Sequence, residues 1–289
     1  MAAACVDEAL RNAVCVGVDL DMIAGLDNFC WPDSVESAKT PDGRYKLAQL
    51  VRANQAIDDV CRAYRLPCIS GKDSMKNDVT MYGEKISVPP TILFSLIGNH
   101  ADVRKAVSSD FKSVGDHIYL LGETHQELGA SELAFLFRDE CSGGIGGEIP
   151  RINPERNLAM YRALTSAMSE GLVVSAHDCS DGGLAVALAE CCFGADSGAS
   201  VDISGLESDR SHLDEWGALF GESMGRIIVS VSPGDSEGFS KAMGGNSCTL
   251  IGMVGEGDDI IVCSGETEVL RASMSKLRES WQGALGGGA

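Results

Sequence analysis

Aromatic residues are scarce in this 289-residue chain, at 6%, and basic residues are few, 23 Lys and Arg against 42 Asp and Glu. The first shortage leaves the core to aliphatic side chains, since apolar types still make up 44% of the sequence. The second sets the formal net charge at −19. Such a surface repels a phosphate backbone, so no nucleic-acid partner is expected. Phosphorylated small molecules are not excluded, because a bridging cation, a helix N-terminus or a well-placed lysine can hold them. Long apolar runs are missing too: nothing approaches the ~18 residues that span a bilayer, and no membrane partner is expected. The opening segment has no basic region followed by an apolar run, so no secretory leader is read and the expected compartment is the cytoplasm. No C-x-x-C pair occurs among the eleven cysteines; Cys61 and Cys68 are seven apart, and Cys191 and Cys192 are adjacent. These spacings build no local zinc site, and an odd count without an export signal argues against a disulfide framework. The cysteines read instead as buried reduced thiols packed as small hydrophobes.

What is present is an alternation of helix-period and strand-period segments. Residues 5–18 read as a helix, with no strand before it, and Met22–Leu26 as a short strand stopping at Asp27-Asn28. Arg44–Tyr64 repeats apolar residues at three- and four-residue steps until Pro67 intervenes. A short strand at Cys68–Ser70 runs into the polar loop Gly71–Asp78, and Lys85–Val88 and Thr91–Ile97 read as strands. Ala101–Val107 reads as a short helix, and the polar run Ser108–Gly115 as a linker. Beyond it, helices are expected at Glu127–Phe137, Pro154–Glu170, Gly182–Cys192, His212–Phe220, Asp235–Met243 and Glu266–Trp281. They alternate with strands at His117–Leu121, Val173–His177, Val201–Ile203, Arg226–Val231, Thr249–Val254 and Asp259–Cys263. The expected fold class is α/β, layered, in two domains over residues 1–110 and 111–289.

Several motifs carry chemistry. Gly71-Lys72-Asp73-Ser74 fails as a P-loop, because Leu66 stands where that motif needs glycine and Asp73 where it needs Ser or Thr. A strand ending in glycine followed by Lys72, Asp73, Ser74 and Lys76 can still face phosphate oxygens and hold a hard cation; an ordinary polar turn has the same composition. Glu8 and Asn12, four apart on a helix, share a face and offer two oxygen ligands for Mg²⁺, or form a plain solvated surface. Asp27-Asn28 is placed either at a ligand-binding strand end or in a simple turn. His177-Asp178-Cys179-Ser180-Asp181-Gly182-Gly183 suggests a metal site or, more simply, a helix capped by Ser180 or Asp181. Gly221-Glu222-Ser223-Met224-Gly225 matches the nucleophile elbow, yet a helix precedes it, a strand follows, and no histidine lies downstream of it. A hydrolase is therefore not read. The Gly-rich run Cys141–Gly147 contains no dinucleotide fingerprint.

Taken in order, VDEALRN at 6–12, LDNF at 26–29, CISGKDSMKND at 68–78, HDCSDGGLAVALAE at 177–190 and LFGESMGR at 219–226 resemble the second structural half of formylglycinamidine ribonucleotide synthetase. The wider superfamily includes aminoimidazole ribonucleotide synthetase. The resemblance implies a two-domain aminoimidazole ribonucleotide synthetase-like architecture with the N-domain truncated at its start. It also implies an ATP-dependent ligase of purine synthesis joining ammonia from glutamine to formylglycinamide ribonucleotide. Positions matching Glu8, Asn12 and Asp73 would hold Mg²⁺. Those matching Asp27, Gly71, Lys72 and Ser74 would contact ATP, and Ser74 the ribonucleotide as well. Lys72 stands where the short-chain form has a metal-binding Asn. The resemblance places the family's catalytic His in a first half and its nucleophilic Cys in a glutaminase domain, so no catalytic residue is assigned here. The chain is thus expected to be a fragment, inactive alone, partnered by that first half and a glutaminase domain or subunit, and to dimerise in isolation. The alternative is a non-catalytic scaffold or nucleotide-binding module of the same superfamily.

Overall fold

Among the described residues the strands form a three-stranded sheet, a seven-stranded sheet and a two-stranded hairpin. The computed structural model describes residues 1–139, 147–195, 197–210 and 212–285. One unit comprises Met1–Ala13 and Val18–Ala101, the other Val14–Gly17 and Asp102–Ala289.

The first unit contains α1 (Ala2–Val14), β1 (Ile23–Cys30), α2 (Gly43–Tyr64), β2 (Cys68–Ser74), β3 (Asp78–Met81), β4 (Glu84–Ser87) and β5 (Thr91–Gly98). Its sheet has the order β2-β1-β5, with β2 parallel and β5 antiparallel to the central β1. Because β1 is paired on both sides, it does not stop at Asp27-Asn28 as expected but runs on to Cys30. The ladder likewise carries β2 through Gly71-Lys72-Asp73-Ser74, where a loop was expected, and the chain turns at Lys76, whose φ is 59°. β3, not foreseen, pairs with β4, the strand expected at Lys85–Val88, in a hairpin that closes through Tyr82 and Gly83 with φ of 54° and 84°, the left-handed pair that tight hairpins need. The expected helix 5–18 is shifted to Ala2–Val14, and Gly17 has a φ of 85°. Val6, Leu10, Ile57, Val60 and Phe29 are buried, and so is a polar triad: Arg11 donates to Asp7 at 2.5 Å, and the Tyr64 hydroxyl donates to the other Asp7 oxygen.

The second unit carries β6 (His117–Leu121), α3 (Glu132–Leu136), α4 (Pro154–Ser169), β7 (Ser175–Asp178), α5 (Gly183–Phe193), β8 (Gly198–Asp202), α6 (Glu215–Phe220) and β9 (Ile227–Val231). It continues with α7 (Ser236–Met243), β10 (Cys248–Gly255), β11 (Asp259–Ser264), β12 (Thr267–Ser273) and α8 (Met274–Leu285). Its seven strands are ordered β12-β11-β8-β10-β6-β9-β7, antiparallel apart from the β11–β8 pair. The apolar run of β6 is what a strand covered on both faces requires. Ile118 and Leu120 join Leu184 and Leu188 of α5 in one core, while Tyr119 packs with its ring tilted against Phe239 of α7, ring centres 5.0 Å apart.

Other expectations are corrected here. The 108–115 segment read as a linker is packed: Phe111 is buried, and its N–H bonds the Cys191 carbonyl. The helix read at Ala101–Val107 is a single 3₁₀ turn, Val103–Lys105, capped by the Asp102 side chain. The one read at Glu127–Phe137 begins at Glu132, after a left-handed Ala130 and a Ser131 cap. The one read at Glu266–Trp281 is two elements, because Gly265, with φ of 63°, turns the chain back and β12 pairs with β11 before α8 starts. The Cys141–Gly147 run, up to residue 146, lies outside the described residues. All ten described cysteines are free, but five are buried rather than most of them, and Cys68 is exposed.

Candidate functional site

Asp27, Gly71, Lys72, Asp73 and Ser74 of the candidate set lie on β1 and β2. Side chains alternate between the two faces of a strand, so Asp27 shares a face of β1 with the buried Ile23, Gly25 and Phe29. Across the parallel ladder Asp27 lies beside Gly71, and Phe29 beside Asp73. A Cβ at Gly71 would fall 2.3 Å from Asp27 Oδ1, so glycine is what lets the carboxylate lie over the neighbouring strand. Asn28 and Cys30 occupy the opposite face, beside Lys72 and Ser74, and Lys72 Nζ donates a hydrogen bond to Ser74 Oγ. The candidate set is therefore split by the pleat: Asp27, Gly71 and Asp73 on one face, Lys72 and Ser74 on the other.

Access differs along the set. Gly71, Lys72 and Asp73 are exposed, and Asp27 and Ser74 are half-buried. Asn77 secures the strand end by donating from Nδ2 to the Ser74 carbonyl at 2.7 Å. Glu8 and Asn12 lie one turn apart on the exposed side of α1, whereas Asp7 and Arg11 point inside. Among the described residues no group of three or more His, Cys, Asp or Glu side chains is gathered to hold a metal ion. Glu8, Asn12 and Asp73 are nevertheless hard oxygen donors, the type Mg²⁺ takes, and the ammonium of Lys72 beside the Ser74 hydroxyl suits phosphate oxygens.

In the second unit, the His177–Gly183 turn is built differently from its sequence reading. Gly182, at φ of 77°, is the N-cap of α5 in place of the expected Ser180 or Asp181, and Gly183 N–H bonds the Ser180 carbonyl. Ser180 Oγ instead donates to Asp178 at 2.6 Å, and His177 Nε2 pairs with Glu190 at 2.8 Å. Ser223 is buried, accepting from the His125 N–H at 3.0 Å, so it is a fastening and not a nucleophile. Its neighbour Glu222 accepts from the N–H groups of Gly182 at 2.9 Å and Glu132 at 2.8 Å, tying two helix starts together. Burial raises the Glu222 carboxyl pKa, and those two donors oppose the shift. This clasp was missed in the sequence because a nucleophile-elbow pattern carries no sign of a carboxylate bridging distant loops. Also missed was a polar hollow of about 270 Å³ lined by Gly122, Thr124, His125, Glu207, Ser208 and Asp209.

The family described as AIR synthase related protein, C-terminal domain, matches residues 113–263, just over half of the chain. The chain belongs to this AIR synthase related family, and its mixed α/β fold is of that type. Among solved structures it is similar to T. maritima PurL complexed with FGAR, at 19% identity and a TM-score of 0.71, over 96% of this chain and 42% of that one. The ATP complex of T. maritima PurL matches at 19% identity and a TM-score of 0.66, over 96% of this chain and 40% of that one. The hydrogenase maturation protein HypE in complex with ATP matches at 14% identity and a TM-score of 0.66, over 94% of this chain and 78% of that one. The chain thus spans about 42% of the length of the PurL chain it matches.

Proposed function

We propose that this chain is part of an ATP-dependent C–N ligase of purine synthesis, the second structural half of a formylglycinamidine ribonucleotide synthetase. The reaction consumes ATP to join glutamine-derived ammonia to formylglycinamide ribonucleotide, giving formylglycinamidine ribonucleotide, ADP and phosphate. The observation that carries the reading is the juxtaposition of Asp27 with Gly71, and of Lys72 with Ser74, on paired strands of a fold shared with PurL in its FGAR and ATP complexes. Lys72 and Ser74 contribute charge and hydrogen bonds to a polyphosphate, and Ser74 also to the ribonucleotide. Asp27 stands beside Gly71 as the acceptor for a nucleotide donor group. Glu8, Asn12 and Asp73 would hold Mg²⁺, which when bound neutralises phosphate charge. The chemistry asked of these residues is positioning and charge compensation rather than covalent catalysis.

On this reading the chain works in the cytoplasm with a first structural half and a glutaminase domain or subunit, and alone it is inactive. Its first sheet gives a reason for self-association: Ile69, Leu93 and Ile97 are 68%, 60% and 68% exposed, an apolar area that a sheet in water does not leave open at no cost. Titration calorimetry with Mg-ATP tests the site. Saturable binding that Asp73→Ala weakens at least tenfold supports it; no binding by the unaltered chain favours the scaffold reading. Turnover of formylglycinamide ribonucleotide with ammonia and ATP by this chain alone would overturn the claim of inactivity.

A further inference from the structure

The last turn of α2 and the first residue of β2 bring two thiols into contact. Cys61 and Cys68 have their sulfurs 3.8 Å apart, and both line an open hollow of about 600 Å³ together with Asn54, Asp58, Arg62 and Arg65. The approach is set by the backbone and not by the sulfurs. Arg65 takes a left-handed φ of 55°, the Leu66 N–H bonds the Cys61 carbonyl at 2.8 Å, and the chain passes straight into the strand. Bringing the sulfurs to the ~2.05 Å of a disulfide requires less than ~2 Å of movement, within the reach of side-chain rotation. From this contact we infer that Cys61 and Cys68 form a reversible dithiol–disulfide pair, a modification site for small disulfides of the glutathione type.

The two sulfurs are not equivalent. Cys68 is exposed, whereas Cys61 is buried, and burial together with Cys68, Cys5 and Asp27 pushes its thiol up to about 12. The thiolate is the attacking species, so Cys68 is the entry point and Cys61 the resolving group. Cys68 loses its proton and attacks one sulfur of the small disulfide, releasing one thiolate and leaving a mixed disulfide on Cys68. Cys61 then gives up its proton and attacks the Cys68 sulfur, releasing the second thiolate. Two protein thiols are oxidised, one small disulfide is reduced to two thiols, and the two protons pass to the leaving thiolates. The new bond ties α2 to the strand that carries Gly71, Lys72, Asp73 and Ser74.

The test uses the whole chain equilibrated in oxidised and reduced glutathione, quenched by alkylation and digested with trypsin. Cleavage after Arg62 and Arg65 places the two cysteines in separate peptides, so a joined pair is diagnostic. The expected result is that peptides 53–62 and 66–72 become linked under oxidation as the majority species and separate again with dithiothreitol. Cys68→Ser, at an exposed position, abolishes the link, and Cys5→Ser leaves it unchanged. Stable glutathione on Cys68 without the link, a Cys5–Cys61 link in its place, or full resistance to oxidation would each overturn the inference.

Discussion

The two sheets solve the burial problem differently. In the second unit β6 and β9 are covered on both faces, so Ile118, Leu120, Ile228, Val229 and Val231 leave almost nothing to solvent. In the first unit one face of the sheet is packed, but the other leaves Leu93 and Ile97 open, and β2 is exposed along nearly its whole length. Asp7, Arg11 and Tyr64 bring charge into its interior, and the second unit likewise buries Glu127 and Arg226 beside its aliphatic core. The candidate binding residues lie on the less covered sheet. On the proposed function, a strand that meets a ligand or partner cannot spend its side chains on its own core, which fits the more open of the two sheets.

The comparison is broken most severely by removing the buried charge. Asp7→Ala removes the buried carboxylate to which Arg11 and Tyr64 both donate and is expected to cost about 3–5 kcal/mol, read as a lower denaturant midpoint for the first unit. Ile118→Ala, a cavity in the aliphatic sheet, is expected to cost about 2–4 kcal/mol by the same measurement. Glu222→Ala strips two helix-start N–H groups of their acceptor and should cost about 1–3 kcal/mol, with Glu222→Gln milder. Because the native pKa of Glu222 is raised, its protonated form is the one that folding favours. Its contribution is full below the ordinary Glu range and declines as pH rises through the raised native value, so Glu222→Gln should lose that part of the pH dependence. Leu93→Ser on the open face should change stability by no more than about 0.5 kcal/mol. It should nevertheless shift light-scattering mass toward the monomer; an unchanged mass would show that this face is not the contact. The smallest effect is at α8. Asp258 accepts from Ser273 and Ser275, which hold its carboxyl below the usual range. Its support is present at neutral pH and fades as pH falls through that lowered value, a loss that amide exchange at the start of α8 detects and Asp258→Asn removes.

Much of this was legible locally. The repeat in Arg44–Tyr64 located α2 to within a residue, because an amphipathic helix writes its period into the chain. The continuous apolar run His117–Leu121 located β6 in the same way. Asp27-Asn28 and Gly71–Ser74 misled because their composition is that of turns, while their extended state comes from ladders to segments about 45 residues away. The candidate site was legible as a set of residue types but not as a geometry. The division of Lys72 and Ser74 from Asp27, Gly71 and Asp73 follows from strand pleat, and a segment read as a loop has none. Glu222 was illegible because its two partners are 40 and 90 residues distant.

By itself the order of residues determined the aliphatic, acidic character of the protein, its alternating elements, and the chemical types available on β1 and β2, since these depend on composition and local period. Tertiary structure alone decided which carboxylate lies over which glycine, which sulfurs touch, and which sheet face stays open. Those are distances between segments far apart in the chain, settled when strands choose partners and register.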